Sequence, residues 1–136
     1  IMEKIRLEAT EKSPAILFDP QSRTFEIKGN SRPENVRDFF IPVMEKMRNN
    51  FDEFLEQKTS VNEEDPLKCM FKLEYFNSSS AKFISDILVM IGNYYQKGLP
   101  VKLYWYFKDG DEDMLEVGED FSEMIDMPFQ MIMRET

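Results

Sequence analysis

Asn77, Ser78, Ser79 and Ser80 form the densest group of side chains that could take part in chemistry. They follow an alternating run that is typical of a strand and precede apolar residues with the 3.6-residue period of a helix. A helix N-terminus exposes unpaired N–H groups and about half a positive charge, so a hydroxyl there could accept a phosphoryl group and hold the added charge. Asparagine and serine are also favoured caps, and either Asn77 or Ser78 could cap this helix. On local sequence alone, a purely structural helix start is therefore the more common explanation of such a cluster.

The residue types give little support to nucleophilic catalysis. The sequence contains no histidine, and Cys69 is its one cysteine. This excludes Ser-His-Asp and Cys-His arrangements, His-ligated metal sites and an intramolecular disulfide. A pair of Ser79 with Lys82 would need a desolvated lysine, which nothing in the sequence indicates. Cys69 lies in a strand-like run and is interpreted as a small buried apolar residue.

Residues 109–120 are rich in carboxylates, which are the ligands that hard cations prefer. Every second residue from Asp109 to Asp113 is an aspartate, the spacing with which a calcium loop begins. Met114, however, stands where that loop needs glycine, and Asp120 replaces its closing glutamate. The pattern therefore favours a solvated turn, and a metal-dependent hydrolase built on residues 109–120 is kept as an alternative function.

The composition limits the classes of protein. The 136 residues, with 12 Phe and 5 Tyr, suffice for one domain with one core. A formal net charge of −9 repels phosphate backbones and anionic lipid, so we expect neither nucleic acid nor membrane as a partner. Apolar runs are far shorter than the roughly 20 residues that span a bilayer, and no secretory signal is visible, so we expect a cytoplasmic protein. No glycine-rich phosphate loop occurs, and no cofactor is expected.

The N-terminal half predicts three strands followed by a helix. The strands are expected at 2–8, Ala15–Asp19 and 23–28, with the last two forming a hairpin. Ser31 and Glu34 form a capping box that predicts the start of the helix. Pro42 lies inside the helical pattern and predicts a kink or a local break. Residues 58–66 are predicted to be a polar surface connection.

The C-terminal half alternates strands with helices. The clearest strand is Leu67–Phe76, with Leu67, Cys69, Phe71, Leu73 and Tyr75 on one face. A helix is predicted from the serine cluster to Lys97, because Gly98 and Pro100 end it. A strand at 101–107, a helix at 112–124 and a last strand or tail at 128–134 follow. The order β-β-β-α-β-α-β-α-β predicts a single α/β domain with a mixed sheet, an N-terminal antiparallel hairpin and helices packed on the sheet.

Methionines near the C-terminus suggest a further alternative, an oligomerising scaffold. They could face a partner helix, although methionines in apolar stripes commonly fill a core. The residues concerned are Met124, Met127, Met131 and Met133.

Three blocks of the chain, in this order and spacing, resemble the SiaC family of bacterial regulatory phosphoproteins. They are Gly29-Asn30-Ser31-Arg32-Pro33-Glu34-Asn35, Tyr75-Phe76-Asn77-Ser78-Ser79-Ser80-Ala81-Lys82, and Tyr104-Trp105-Tyr106-Phe107 with the acidic stretch from Asp109 to Asp120. The family is similar to the STAS domains of anti-sigma factor antagonists, which carry a phosphorylated Ser or Thr at the start of a helix. The resemblance therefore implies a STAS-like, SpoIIAA-like fold.

The resemblance implies a non-enzymatic partner-switching function. A Ser/Thr kinase of the anti-sigma type would phosphorylate the protein, and a PP2C-type phosphatase would reverse this. The unphosphorylated form would bind and activate a diguanylate cyclase, which links it to cyclic di-GMP and biofilm or aggregation behaviour.

The resemblance also implies which residues form the site. The acceptor is expected to be the first hydroxyl after an acidic or amide residue, which is Ser78, with Ser79 as second choice and Ser80 as third. Two departures from the family pattern are Arg32, where an aromatic or apolar residue is more usual, and serine rather than threonine as acceptor. The expected partner surface consists of Asn77, Ser78, Ser79, Ser80, Lys82, Ser31 and Arg32.

Overall fold

A computed structural model describes residues 2–57 and 61–135. Within these residues the chain forms six strands and three helices in the predicted order. The strands are β1 (Ile5–Leu7), β2 (Ala15–Asp19), β3 (Thr24–Ser31), β4 (Leu67–Phe76), β5 (Val101–Lys108) and β6 (Phe129–Arg134). The helices are α1 (Val36–Gln57), α2 (Ser78–Gln96) and α3 (Glu112–Ile125). The predicted α/β class is confirmed. Among the described residues, none of the helices has both the length and the apolar character needed to span a membrane.

The strands form one mixed sheet in the order β1-β2-β3-β4-β5-β6. The pairs β1–β2 and β2–β3 are antiparallel, whereas β3, β4, β5 and β6 are parallel to one another. Each helical crossover moves one strand along in the same direction, and such crossovers have a fixed hand. The helices therefore lie on one face of the sheet, and their N-termini lie at the edge where the parallel strands end.

Aromatic residues dominate the core between the sheet and the helices. Phe71 and Trp105 stack on neighbouring strands with 5.8 Å between ring centroids. Phe40 of α1 stacks on Phe83 of α2 at 5.5 Å. Cys69 is fully buried, as predicted, and burial raises the pKa of its thiol. The ring contacts therefore join β4 to β5 within the sheet and α1 to α2 within the helix layer.

The predicted capping box at Ser31 is wrong. Pairing with β4 continues to the end of β3, where Ser31 lies opposite Phe76, so Ser31 ends a strand. The Asn35 carboxamide instead accepts a hydrogen bond from the N–H of Asp38 at 3.1 Å and begins α1. Glu34 contacts Lys12 at 2.8 Å. The sheet ladder therefore overrides the local capping pattern.

The end of β4 departs from the predicted alternation. The β3–β4 register shifts between Gly29 and Asn30, so that Leu73 lies opposite Gly29 but Tyr75 lies opposite Asn30. The extra residue in β4 reverses which side chains face the helices. Tyr75, predicted to be in the core, is 51% exposed, and Phe76 packs against the core instead.

Two further expectations need correction. Helix α1 continues through Pro42, so the expected local break is absent from this described helix. Residues 58–60 of the predicted surface connection lie outside the described residues, and Val61 and Pro66 farther along it are buried rather than exposed. At the C-terminus, the predicted last strand is confirmed at Phe129–Arg134, and the alternative of a tail does not apply.

Candidate functional site

The serine cluster lies where the carboxyl ends of β3 and β4 meet the N-terminus of α2. The backbone N–H of Asn77 donates a 3.1 Å hydrogen bond to the carbonyl of Ser31. Helix α2 begins at the next residue, Ser78. The site is therefore built by two adjacent parallel strands and the helix that leaves one of them.

Asn77 is the N-cap of α2 and is one of the two candidate caps that the sequence offered. Its backbone is extended, with φ −82° and ψ 175°, and its carboxamide oxygen accepts a 2.9 Å hydrogen bond from the N–H of Ser80. Its carbonyl accepts a 2.9 Å bond from the N–H of Ala81. Ser78, the other candidate cap, is the first residue of the helix, so its hydroxyl is not needed to cap it.

The three hydroxyls of the cluster have different environments. Ser78 and Ser79 are exposed, and among the described residues the structure gives their backbone N–H groups no acceptor. These donors and the positive end of the helix dipole can hold an anion. Ser80 is fully buried, and its hydroxyl accepts a 2.8 Å hydrogen bond from that of Ser31. The side chains of Ser78 and Ser79 are therefore accessible from solvent, whereas that of Ser80 is not.

The residues predicted to surround the acceptor form both a surface and a support beneath it. Arg32 and Lys82 are exposed: Arg32 lies 3.9 Å from Glu11, and the ammonium group of Lys82 lies 3.3 Å from Asp86. Ser31 and Ser80 are fully buried. The structure therefore places these two serines beneath the surface, where their hydrogen bond holds the end of β3 against the first turn of α2. Contact of this set of residues with a partner stays a prediction.

Tyr75 is a residue of this surface that the sequence interpretation missed. The bulge in β4 turns its ring outward, two residues before Asn77. An exposed aromatic side chain, three residues before Ser78 in the sequence, is well suited to contact a protein partner. A Gly-Asn pair in the neighbouring strand was the available signal for the bulge, because glycine inside a strand often marks one.

The acidic block serves the start of α3. Asp111 is the N-cap, and its carboxylate accepts a 3.0 Å hydrogen bond from the N–H of Met114. Glu112 and Asp113 lie in the first turn, where negative charge is favoured by the helix dipole. Across residues 2–57 and 61–135, no group of three or more His, Cys, Asp or Glu side chains is arranged to hold a metal ion.

Comparison with known proteins identifies the class and then the family. A family model described as SiaC family regulatory phosphoprotein matches residues 7–134. The fold is thus that of a family of regulatory phosphoproteins. The chain belongs to the SiaC family. It is 31% identical over 128 residues to an uncharacterised protein of Pseudomonas aeruginosa strain UCBPP-PA14, and the match covers 94% of each chain.

Solved structures of SiaC from P. aeruginosa share the whole architecture. In the crystal structure of the diguanylate cyclase SiaD in complex with its activator SiaC, the similar chain has a TM-score of 0.83 and 28% identity, covering 96% of this chain and 99% of that chain. The crystal structure of apo-SiaC has a TM-score of 0.78 and 28% identity, covering 98% and 99%. The resemblance to the family inferred from the sequence is therefore confirmed.

Proposed function

We propose that this chain is a non-enzymatic, STAS-like partner-switching protein whose unphosphorylated form binds and activates a diguanylate cyclase. A Ser/Thr kinase of the anti-sigma type phosphorylates Ser78, and a PP2C-type phosphatase removes the phosphate. The cyclase partner is proposed by analogy with SiaC, which is described as the activator of SiaD. Cyclic di-GMP would then couple the switch to biofilm or aggregation behaviour.

The exposure of Ser78 at the start of α2 is the observation that carries the proposal. A phosphoserine adds about −1.5 to −2 charges. The free N–H groups of the first turn and the helix dipole stabilise that charge, so the fold tolerates the modification. Lys82 lies one helical turn farther along and is exposed, which adds a cation near the phosphate.

The same charge is unfavourable at an interface. A partner that covers Ser78 must remove water from the phosphate, and an interface shaped for a neutral hydroxyl offers no matching donors. A loss of about 3 kcal/mol in binding free energy weakens the complex by more than a hundredfold. Phosphorylation therefore changes what binds beside Tyr75 and Ser78 without unfolding the domain.

The first experiment maps the acceptor. After incubation with the cognate kinase and ATP, the tryptic peptide 73–82 contains all three serines, so fragment ions must separate Ser78 from Ser79. We expect phosphate on Ser78, its loss in Ser78→Ala, and its retention in the matched control Ser79→Ala. Phosphate confined to Ser79, or to a residue outside this peptide, would contradict the assignment.

The second experiment measures cyclase activation. Purified wild-type protein should raise the rate of cyclic di-GMP synthesis by the cognate cyclase, and kinase with ATP should remove this effect. Ser78→Ala should activate in both conditions, and Ser78→Asp in neither. The metal-dependent hydrolase stays as an alternative that no observation on the described residues favours, since the carboxylates of Asp111, Glu112 and Asp113 serve α3. The oligomerising scaffold stays as a second alternative: Met124 and Met133 are exposed, whereas Met127 is buried in the core.

A further inference from the structure

The face of the sheet opposite the helices is free of them in the described part of the chain, and we call it the open face. Phe71 and Trp105 point toward the helices, so strand alternation turns Met70, Tyr104 and Tyr106 to the other side. Ile132 of β6 lies opposite Tyr106 and completes this half-buried apolar centre. The open face is thus a second surface, on the side of the sheet away from the helix layer.

Basic side chains concentrate on the part of the open face formed by β3 to β6, although the whole chain carries a net charge of −9. Strand alternation places them on the same side as Tyr104. They are Lys28, Lys68, Lys72, Lys102, Lys108 and Arg134. The carboxylates on this part of the face are Glu26 and Glu74. The face is therefore positive on an otherwise acidic protein.

The carboxylates neutralise part of this charge. Glu26 pairs with Lys72 at 2.7 Å, and Glu74 pairs with Lys108 at 2.8 Å. The hydrogen bond from Lys108 lowers the pKa of Glu74 below its usual value, and the charges of Lys108, Arg134 and Lys28 lower it further.

Four cations of the open face have no carboxylate partner among the described residues. Within the described residues, no ion pair is formed by Lys28, Lys68, Lys102 or Arg134. The face therefore keeps positive charge that its own carboxylates do not balance.

The aromatic centre and the cationic surroundings have the composition of a binding surface. The Tyr106 ring lies between the Lys72 ammonium group at 5.0 Å and the Arg134 guanidinium at 5.7 Å. Tyrosine and arginine are enriched where protein interfaces carry most of their binding energy, with polar groups at the rim. The cation–π contacts hold Tyr106 in place before a partner arrives.

We infer that the open face binds an acidic protein segment, with carboxylates on the unpaired cations and apolar or aromatic side chains over Tyr104 and Tyr106. A second copy is disfavoured, because two open faces would bring like charges together. Nucleic acid is disfavoured because a long phosphate backbone would extend over the acidic remainder of the molecule. The site is independent of Ser78 and does not rest on the proposed switch.

Fluorescence anisotropy can test this inference on the full chain carrying Ser78→Ala, without kinase or cyclase. The probe is a short fluorescein-labelled peptide in which Glu alternates with Leu and Tyr. The comparison probes are the same peptide with Lys in place of Glu, and single-stranded oligouridylate. We expect the acidic peptide alone to bind, with affinity that falls as salt rises. Because Ser78 is absent, failure here leaves the phosphorylation proposal intact.

Matched variants locate the binding. Lys28→Glu with Arg134→Glu should weaken binding by about tenfold or more. The control, Arg37→Glu with Lys46→Glu, makes the same change in net charge on exposed positions of α1. A second variant of the open face, Lys68→Glu with Lys102→Glu, provides an independent test if the first variant does not fold. Equal weakening by the control, absence of acidic-peptide binding at low salt, tighter binding of oligouridylate, or self-association that the face variants abolish would overturn the inference.

Discussion

The hydroxyl of Ser31 donates a 2.8 Å hydrogen bond to the hydroxyl of Ser80, and both side chains are fully buried. The two residues are 49 positions apart in the sequence. Ser31 is the last residue of β3, and Ser80 lies in the first turn of α2. The bond therefore joins the end of the strand to the helix that carries Ser78. The carbonyl of Ser31 also accepts the N–H of Asn77, which makes Ser31 a double anchor of the site.

Removing either hydroxyl should destabilise the fold. Ser31→Ala or Ser80→Ala leaves one buried hydroxyl without its partner, which costs about 1–3 kcal/mol of the free energy of unfolding. The double variant should cost less than the sum, because replacing both partners removes the unsatisfied group. Urea unfolding of the four proteins measures this. Strict additivity would show that the two hydroxyls are not coupled, and the exposed Ser79→Ala is the control.

Asn77→Ala should destabilise α2 and disturb the phosphorylation site. Loss of the carboxamide that caps the N–H of Ser80 costs about 1 kcal/mol. Asn93→Ala, at an exposed interior position of the same helix, should be neutral or stabilising because alanine has the higher helix propensity. Thermal unfolding distinguishes the two. Equal stability of both variants would mean that the cap contributes nothing.

Ser78→Asp should change stability and binding in opposite directions. A negative charge at the first residue of α2 interacts favourably with the helix dipole and stabilises the protein by about 0.3–1 kcal/mol. The same charge should abolish cyclase activation, as proposed above. Chemical denaturation and a cyclase assay on the same preparation measure both effects. A variant that loses activation because it is unfolded would refute the interpretation.

Gly118→Ala should be strongly destabilising. A Cβ atom at Gly118 would lie 2.4 Å from Cδ1 of Trp105, whose indole N–H donates a 2.9 Å hydrogen bond to the carbonyl of Met114. Overpacking of this kind costs about 1–3 kcal/mol or more. Gly92→Ala is the matched control, since its Cβ would meet Ile125 at an ordinary 3.5 Å. Near-ultraviolet circular dichroism and the melting temperature report both changes.

Tyr94 should make the protein less stable at high pH. Burial, and then its hydrogen bond to the carboxylate of Asp52, raise the pKa of Tyr94 above its ordinary value of 10.0. The folded protein therefore keeps a proton that the unfolded chain loses above that pH, so the free energy of unfolding falls as pH rises. Urea unfolding across that range measures the slope. Tyr94→Phe should flatten it, and Tyr95→Phe at the next position should not.

Local patterns predicted the order of the elements and the cap of α2, because hydropathy period and capping depend on neighbouring residues. The bounds of β2 and β4 agree with the prediction to the residue, and Asn77, one of the two predicted candidates, caps α2. The predicted start of α1 at Ser31 is wrong because the position of Ser31 depends on a residue far away in the sequence. Its backbone is paired with β4, a partner about forty-five residues away, and such pairing outweighs a capping preference of about 1 kcal/mol.

The exposure of Tyr75 and the charge of the open face also depend on strand pairing, which local sequence patterns do not reveal. Alternation alone predicts Tyr75 in the core, but the shift of register against Asn30 turns it outward. The lysines of the open face are scattered from position 28 to position 108 in the chain and form no cluster in the sequence. Only parallel pairing brings them onto one surface, so the net charge of −9 gave no indication of a basic face.

The amino-acid sequence by itself determined the α/β element order and a serine cluster at the start of a helix, because these follow from local period and residue type. The family was indicated by the resemblance of three blocks of residues, not by their period. The tertiary structure decided which hydroxyls are accessible. Ser78 and Ser79 face solvent while Ser80 is sealed against Ser31, since the contact that buries Ser80 comes from another strand. Accessibility depends on long-range packing, which local pattern does not contain.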